Sequence, residues 1–373
     1  MRIGLDARAL ASDRRSGVEH YVINLARALA QLPGAPEIVA YLDRPIADPA
    51  LESVSRTGSV RLELVRSRRG WLRVALPWRL WRDRADLVHL PSTIVPPFLP
   101  CPAVVTVHDL AWARYPEAYE PEDLRMQTRV VPRSIRRAAH VVAVSQATAD
   151  DLVALLQVPA GKITVTRLGV SPLFQPDGPE LQADAFAGAE RARAGCLLHT
   201  GGLHPRKNVI RLLDAYAALR QQTACPPLVI AGDISSEAGT QAVSKTAALG
   251  LTGEVIFPGQ VTEAVLPALY RAALVVAYPS LYEGFGLPIL EAMASGVPVV
   301  TSDRSSMAEI AGDAALLVDP EDTQALAEAL RRAILDEGLR QDLRRKGLAR
   351  SRQFRWERTA RETVAVYERL ARG

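Results

Sequence analysis

The chain has 373 residues, 48% of them hydrophobic and 23% charged, which suits a soluble globular protein with room for two domains, each burying its own core. No apolar run approaches the length of a bilayer span, and the opening MRIGLDARAL lacks the long apolar segment and cleavage site of a signal peptide, so a cytoplasmic location is expected. Three cysteines, Cys101, Cys196 and Cys225, stand without CxxC spacing and point to neither a disulfide framework nor a metal site, while the net charge of +4 favours an acidic or phosphate-bearing partner.

Short β-branched runs alternate with helical patterns twice over. The first half reads as strands at 2–5, 38–42, 61–65, 86–90, 104–107, 141–144 and 163–166. The second half restarts at 197–200 and continues through 228–231, 255–257, 274–277, 297–301 and 315–318. Strands that are apolar along their whole length are buried on both faces, so the expected fold class is α/β, with two Rossmann-like domains whose parallel sheets face each other across a cleft. Pro172, Pro176, Gly178 and Pro179, followed by an Ala-rich polar stretch, mark a linker. The expected division is 1–172, a linker 173–195, a second domain 196–355 and a last helical piece 356–373.

In the first domain, Gly17 stands between Ser16 and Val18, just ahead of a helical run over 19–32. A glycine there lets the backbone approach a ligand, although a simple tight turn would use one too. The fingerprint GxGxxG is absent here and also at Gly284, where Ile289 stands in place of the third glycine, so a nicotinamide cofactor is disfavoured. Residues 66–84 hold seven arginines and one aspartate, interleaved with Trp71, Trp78 and Trp81. Two readings stand: tryptophans packing on the sheet, with Pro77 interrupting a helix, or a peripheral segment attracted to anionic lipid. Without a recognised nucleic-acid module, nucleic acid is not an expected partner. His108 and Asp109 end the strand 104–107, where residues line a ligand crevice, whereas His89, also at a strand end, has no assigned task.

In the second domain, Gly201 and Gly202 lead through Leu203, His204 and Pro205 to Arg206, Lys207 and Asn208, ahead of a helix over 209–220. Arg206 and Lys207 are adjacent cations suited to a diphosphate, the guanidinium as a fork and the ammonium as a point charge. Further on, 278–291 reads YPSLYEGFGLPILE and sets Glu283 and Glu291 on either side of Gly284-Phe285-Gly286. Pro288 suits a first helical turn, so a helix is expected to start near Leu287, its unpaired N–H groups facing an anion over the turn. The carboxylates would then accept hydrogen bonds from sugar hydroxyls, which together suggests a sugar nucleotide.

The E-x7-E spacing around GFG, preceded by Tyr278-Pro279-Ser280 and followed by ASGVPVVTSD, resembles the retaining GT-B glycosyltransferases of family 4. The run from Gly201 to Asn208 matches that family's G-x-x-x-x-R-K-N element. The resemblance implies a GT-B fold with an acceptor-side first domain, a nucleotide-sugar-binding second domain, and a final helix crossing back to the first. It implies that Glu291 accepts ribose hydroxyls, Glu283 a sugar hydroxyl, and that His108 contacts the transferred sugar, with Gly17, Asp109, Gly202, Phe285, Gly286 and Leu287 lining the donor. Transfer would be retaining, the leaving phosphate oxygen helping to deprotonate the acceptor. No two aspartates stand two apart, so no D-x-D metal element is present and metal-independent transfer is expected, with Arg206, Lys207 and the helix start neutralising the leaving group. The opening MRIGLDARAL with SGVEHYVINLARAL looks like members acting on bacterial surface polysaccharides, often with GDP-mannose, although GVEHY departs from the commoner form G-[IV]-G-R-Y. A UDP-sugar donor, an epimerase or phosphorylase on the same fold, and a non-catalytic sugar-nucleotide-binding subunit are the alternatives.

Overall fold

A computed structural model describes residues 1–11, 17–46, 59–67 and 70–372. It divides into two compact units, one made of Met1–Gly169 with Arg355–Gly373 and the other of Val170–Phe354. The stretch 173–195 is counted with the second unit and carries a short helix, Ala189–Arg193.

In the first unit the described residues form a seven-stranded sheet of β1 (Arg2–Asp6), β2 (Glu37–Leu42), β3 (Val60–Leu64), β4 (Leu87–Leu90), β5 (Ala103–Val107), β6 (His140–Ala143) and β7 (Ile163–Val165). The spatial order is β3-β2-β1-β4-β5-β6-β7 and every pairing is parallel. The second unit repeats the pattern with β8 (Cys196–Thr200), β9 (Leu228–Ala231), β10 (Val255–Gly259), β11 (Ala273–Tyr278), β12 (Val299–Ser302) and β13 (Leu316–Val318), ordered β10-β9-β8-β11-β12-β13 and again parallel. Both orders reverse beside their first strand, between β1 and β4 and between β8 and β11. At such a switch point the following loops diverge to opposite faces and leave a crevice at the strand ends.

Side chains alternate across the first sheet. Val39, Tyr41, Val88, Val105 and Val141 join one core with Trp71, Leu76 and Leu80 from residues 71–82, and with Val131 and Ile135 from the helix Pro121–Arg137. The approach is close: a Cβ on Gly4 of β1 would come within 2.4 Å of a Leu80 methyl. His89 and Thr106 have the opposite parity. On their side, the Tyr21 hydroxyl of the helix Gly17–Gln31 lies 3.0 Å from Thr106 Oγ1. The chain's last helix, Trp356–Arg372, packs against Gly17–Gln31 through a stripe that includes Trp356, Thr359, Ala360, Thr363, Val364 and Tyr367. Its Thr359 hydroxyl donates to the Arg167 carbonyl at 2.7 Å and Arg369 reaches Thr164 Oγ1 at 3.0 Å.

His89 is fully buried in that layer. Its Nδ1 lies 2.6 Å from the Tyr367 hydroxyl and its Nε2 2.7 Å from Thr106 Oγ1. Burial, and secondarily the nearby His108, push its pKa down to about 3, so it stays neutral and ties β4 and β5 to the last helix.

In the segment 66–84 the tryptophans divide between core and surface, leaving aside residues 68 and 69, which lie outside the described residues. Residues 71–75 form a π-helical turn and Leu76–Arg82 an α-helix with Pro77 in its first turn, where a missing N–H costs nothing. Trp71 is buried, its Nε1 donating to the Val65 carbonyl at 3.1 Å, whereas Trp78 and Trp81 point outward. Among the described residues no helix is long and apolar enough to cross a membrane.

Candidate functional site

The switch point of the second sheet gathers the charged residues singled out in the sequence. After β8 the backbone turns through Gly201 at φ +122°, a left-handed value that glycine alone adopts without strain. The neighbouring Gly232 permits the approach, since a Cβ there would sit 2.4 Å from the Gly201 carbonyl oxygen. A 3-10 turn, Pro205–Lys207, follows and ends at Asn208, itself left-handed at φ +62°. The buried Asn208 amide donates to the carbonyls of Pro279 at 3.1 Å and Pro320 at 2.6 Å. A backbone bond of 2.7 Å from Leu281 N to the Arg206 carbonyl completes the lock between the loop after β8 and the loop after β11.

This lock brings Arg206 and Lys207 onto Glu283, 77 and 76 positions away in the chain. Arg206 Nη1 donates to Glu283 Oε2 at 2.6 Å and to the Tyr282 carbonyl at 3.0 Å. Lys207 Nζ donates to Glu283 Oε1 and to the Tyr278 hydroxyl, each at 2.6 Å, and that hydroxyl donates to the same Oε1 at 2.9 Å. The hydroxyls of Ser305 and Ser306 hold the Glu283 carbonyl at 2.7 and 2.8 Å. Burial alone would raise the carboxyl, but Lys207 and Arg206 outweigh it and hold Glu283 down at about 2. Glu283 is therefore ionised at any physiological pH, a strong hydrogen-bond acceptor and a poor base. Two cations against one carboxylate leave the cluster with a net positive charge.

Glu291 lies one turn into the helix Leu287–Ala294, which begins after Gly286 at φ +101° with Pro288 in its first turn. Its Oε2 accepts a 2.8 Å bond from the Tyr270 hydroxyl, which in turn meets Thr200 Oγ1 at 2.7 Å. Desolvation by burial, aided by Glu263 and opposed by the Tyr270 bond, raises this carboxyl to about 7. The two glutamates thus share one unit but not one environment. Phe285 turns its ring inward, edge-on to Phe354 at a centroid distance of 6.1 Å, so its side chain belongs to the core. Gly202 is open, with nothing within 4 Å of a Cβ placed on it.

The other candidates belong to the first unit. His108 and Asp109 follow β5, both half-buried. His108 Nε2 donates to the Pro91 carbonyl at 3.2 Å, its ring meets Tyr21 edge-on at 5.0 Å, and burial lowers its pKa, opposed by Asp109, the Pro91 carbonyl and Glu19. Asp109 Oδ1 accepts from the Ala111 amide at 3.0 Å, closing the turn into the next helix. Gly17 opens the helix Gly17–Gln31 and a Cβ there would meet nothing within 4 Å, while Ser16 lies outside the described residues. Among the described residues no three His, Cys, Asp or Glu side chains come together as a metal-binding group.

Residues that the sequence did not single out complete the site. Tyr278 bridges Lys207 and Glu283, Tyr270 supports Glu291, and Ser305 and Ser306 fix the Glu283 backbone. Tyr278 stood inside the quoted motif, but a tyrosine at the end of an apolar run reads as strand.

Residues 183–350 match the family described as glycosyl transferases group 1, and residues 15–172 match glycosyltransferase family 4. The O-antigen chain mannosyltransferase B of Escherichia coli is 34% identical over 297 residues, 79% of this chain and 77% of that protein. The chain belongs to the family 4 glycosyltransferases. Solved structures agree on the fold of this glycosyltransferase. Sucrose-phosphate synthase from Thermosynechococcus elongatus superposes with a TM-score of 0.76 at 23% identity, over 99% of this chain and 98% of that one. Anabaena HepE, solved with UDP and glucose, gives 0.74 at 22% identity over 99% of both chains. The glycosyltransferase has the GT-B fold, and its buried Glu283 and Lys207 and half-buried Arg206 lie in the half matched by the group 1 family.

Proposed function

We propose that this glycosyltransferase moves mannose from GDP-mannose to a glycan acceptor, free or lipid-linked, in the building of a bacterial surface polysaccharide, with retention at the anomeric carbon and without a metal ion. The observation that carries the donor chemistry is the cluster of half-buried Arg206 with buried Lys207 and Glu283, whose surplus positive charge is fixed before any ligand arrives. Support for the sugar and the pathway comes from the similarity to the O-antigen chain mannosyltransferase.

In this reading the donor diphosphate lies against Arg206 and Lys207, which stabilise the negative charge that grows on the leaving group. Their positions are set by Glu283 and Tyr278, so little reorganisation accompanies the reaction. The amides at the start of Leu287–Ala294 add the positive end of a helix dipole. Glu283 Oε2 receives one hydrogen bond from Arg206, and a carboxylate oxygen accepts two, so it has room for a sugar hydroxyl. Glu291 accepts the ribose hydroxyls, Gly202 and the backbone of Gly284, Phe285 and Gly286 line the donor, and His108, Asp109 and Gly17 serve the sugar side. The anomeric carbon to phosphate-oxygen bond breaks and the bond to the acceptor oxygen forms on the same face. The acceptor proton passes to the departing phosphate oxygen. Glu283, paired with two cations, is too weak a nucleophile for a covalent intermediate.

The test combines binding with product analysis. Thermal unfolding is followed with GDP, UDP, ADP and dTDP, with magnesium or with EDTA; a nucleotide at about a hundred times its Kd adds about 2.7 kcal/mol. The expected result is stabilisation by GDP that EDTA leaves unchanged, and an α-mannosyl product by NMR from GDP-mannose and an oligosaccharide acceptor. Stabilisation by UDP alone overturns the donor, loss of turnover in EDTA overturns metal independence, and a β-linked product overturns retention.

A further inference from the structure

One face of the first unit combines exposed aromatic and basic side chains. The π-helical turn 71–75 and the helix Leu76–Arg82 bury Trp71, Leu76 and Leu80 on the sheet, yet their opposite side is also apolar: Val74 is 66% exposed, Trp78 52% and Trp81 68%. These three recur one turn apart and form a stripe that faces water. Arg73, Arg82 and Arg84 flank the stripe, all exposed, with the Arg82 guanidinium 5.4 Å from the Trp78 ring centre. The nearby acidic residues are already engaged, Asp83 by Arg79 and Tyr41, and Glu63 by Arg79 and Arg61.

The helix Pro121–Arg137 covers the same sheet face through Val131 and Ile135. Its acidic residues are confined to the first turn, after which Arg125, Arg129 and Arg133 stand exposed one turn apart beside the half-exposed Met126. Phe98 completes the layer at 83% exposure, on a segment whose Val95 and Leu99 pack into this same core. No ion pair is formed by the flanking or the helical arginines among the described residues.

We propose that this layer is the surface by which the enzyme docks on an anionic membrane. Tryptophans belong at the boundary between headgroups and acyl chains, and arginines around them reach lipid phosphates while their aliphatic stems stay in the apolar zone. Unpaired guanidinium groups add an electrostatic attraction to a negative leaflet. A single-stranded nucleic acid would also meet arginine and tryptophan, but Val74, Met126 and Phe98 offer it neither a phosphate contact nor a continuous stacking groove. A membrane uses all of them.

The test is flotation of the full chain with phosphatidylcholine vesicles, with and without about 30% phosphatidylglycerol, at ~0.15 M salt, where exposed charges are screened beyond roughly 8 Å. The proposal expects partitioning onto the anionic vesicles at least tenfold stronger than onto the neutral ones, with a blue shift of tryptophan emission. Trp78→Ser with Trp81→Ser, and separately Arg125→Gln with Arg129→Gln and Arg133→Gln, each lower that partitioning tenfold or more. Both variants keep the circular dichroism and the nucleotide-induced thermal shift of the parent, because the altered side chains are exposed. Equal partitioning onto both vesicle types, parent-like binding by either variant, or retention of an RNA oligonucleotide without vesicle binding overturns it. A failure here leaves the nucleotide shift intact and is therefore separate from a failure of the transferase reading.

Discussion

Lys207 Nζ lies 2.6 Å from Glu283 Oε1, with both side chains no more than 10% exposed. A pair so shielded costs more to break than to keep, because removing one partner strands the other charge away from water. Glu283→Ala is expected to destabilise the second unit by about 3–5 kcal/mol and to lower kcat by roughly a hundredfold or more. Glu283→Gln keeps the shape, so its kinetic loss can be read with most of the protein folded. Thermal unfolding and steady-state kinetics of the two variants check this. Since the folded carboxyl titrates near 2, below its usual 4.5, the pair's contribution is present above about pH 4.5 and is lost as pH falls toward 2.

Glu291 has the opposite dependence. In the unfolded chain its carboxyl titrates near 4.5, in the folded protein near 7, so between those values the folded state holds an extra proton and stability falls as pH rises. Binding of a ribose to the ionised carboxylate runs the other way, and GDP affinity should improve by up to about tenfold per pH unit as pH rises to 7. Glu291→Gln should flatten this profile. Calorimetric titration of both proteins between pH 5.5 and about 8 measures it.

Tyr278 touches both Lys207 and Glu283, and Tyr278→Phe removes only the hydroxyl between them. One charge-assisted bond on each side is lost, from the Lys207 ammonium and to the Glu283 carboxylate, so a stability cost of about 1.5–3 kcal/mol is expected. A positioning role predicts a fall in kcat of about tenfold with KM for the donor nearly unchanged, because the cations lose their alignment in the transition state. A fall in Tm with unchanged kcat would reduce Tyr278 to a packing residue.

His89→Leu tests the buried histidine of the first unit. The substitution strands the Tyr367 hydroxyl in an interior layer and leaves Thr106 with Tyr21 alone, and a loss of about 1–3 kcal/mol is expected. Turnover of the folded fraction should stay near that of the parent, as measured by activity against thermal midpoint.

The apolar strands could be read directly, since a run as short as Ala273–Tyr278 that is apolar along its length suits a strand buried on both faces. The start of Leu287–Ala294 was also legible, through Pro288 and Gly286. The partnership of Glu283 with Arg206 and Lys207 was not, because it depends on β8 and β11 becoming neighbours although two strands lie between them in sequence. Residues 71–82 hid their division for another reason. Apolar side chains occupy both faces, so periodicity cannot choose which face meets the sheet, and only the packing of Trp71, Leu76 and Leu80 decides. His89 ends a strand as His108 does, yet hydroxyl partners from distant elements make it part of the core.

The last helix belongs to the unit in which the chain began. The first unit is thus interrupted, and Val170–Phe354 is an insertion within it. As a ribosome delivers the chain, the inserted unit is complete while the first still lacks Tyr367 beneath His89 and the helix that covers Gly17–Gln31. Domains fold as units as they emerge, and here Met1–Gly169 must wait for the helix Trp356–Arg372. A nascent chain stalled before Trp356 should therefore hold a folded second unit and a protease-sensitive first one, until Trp356–Arg372 emerges to cover Gly17–Gln31.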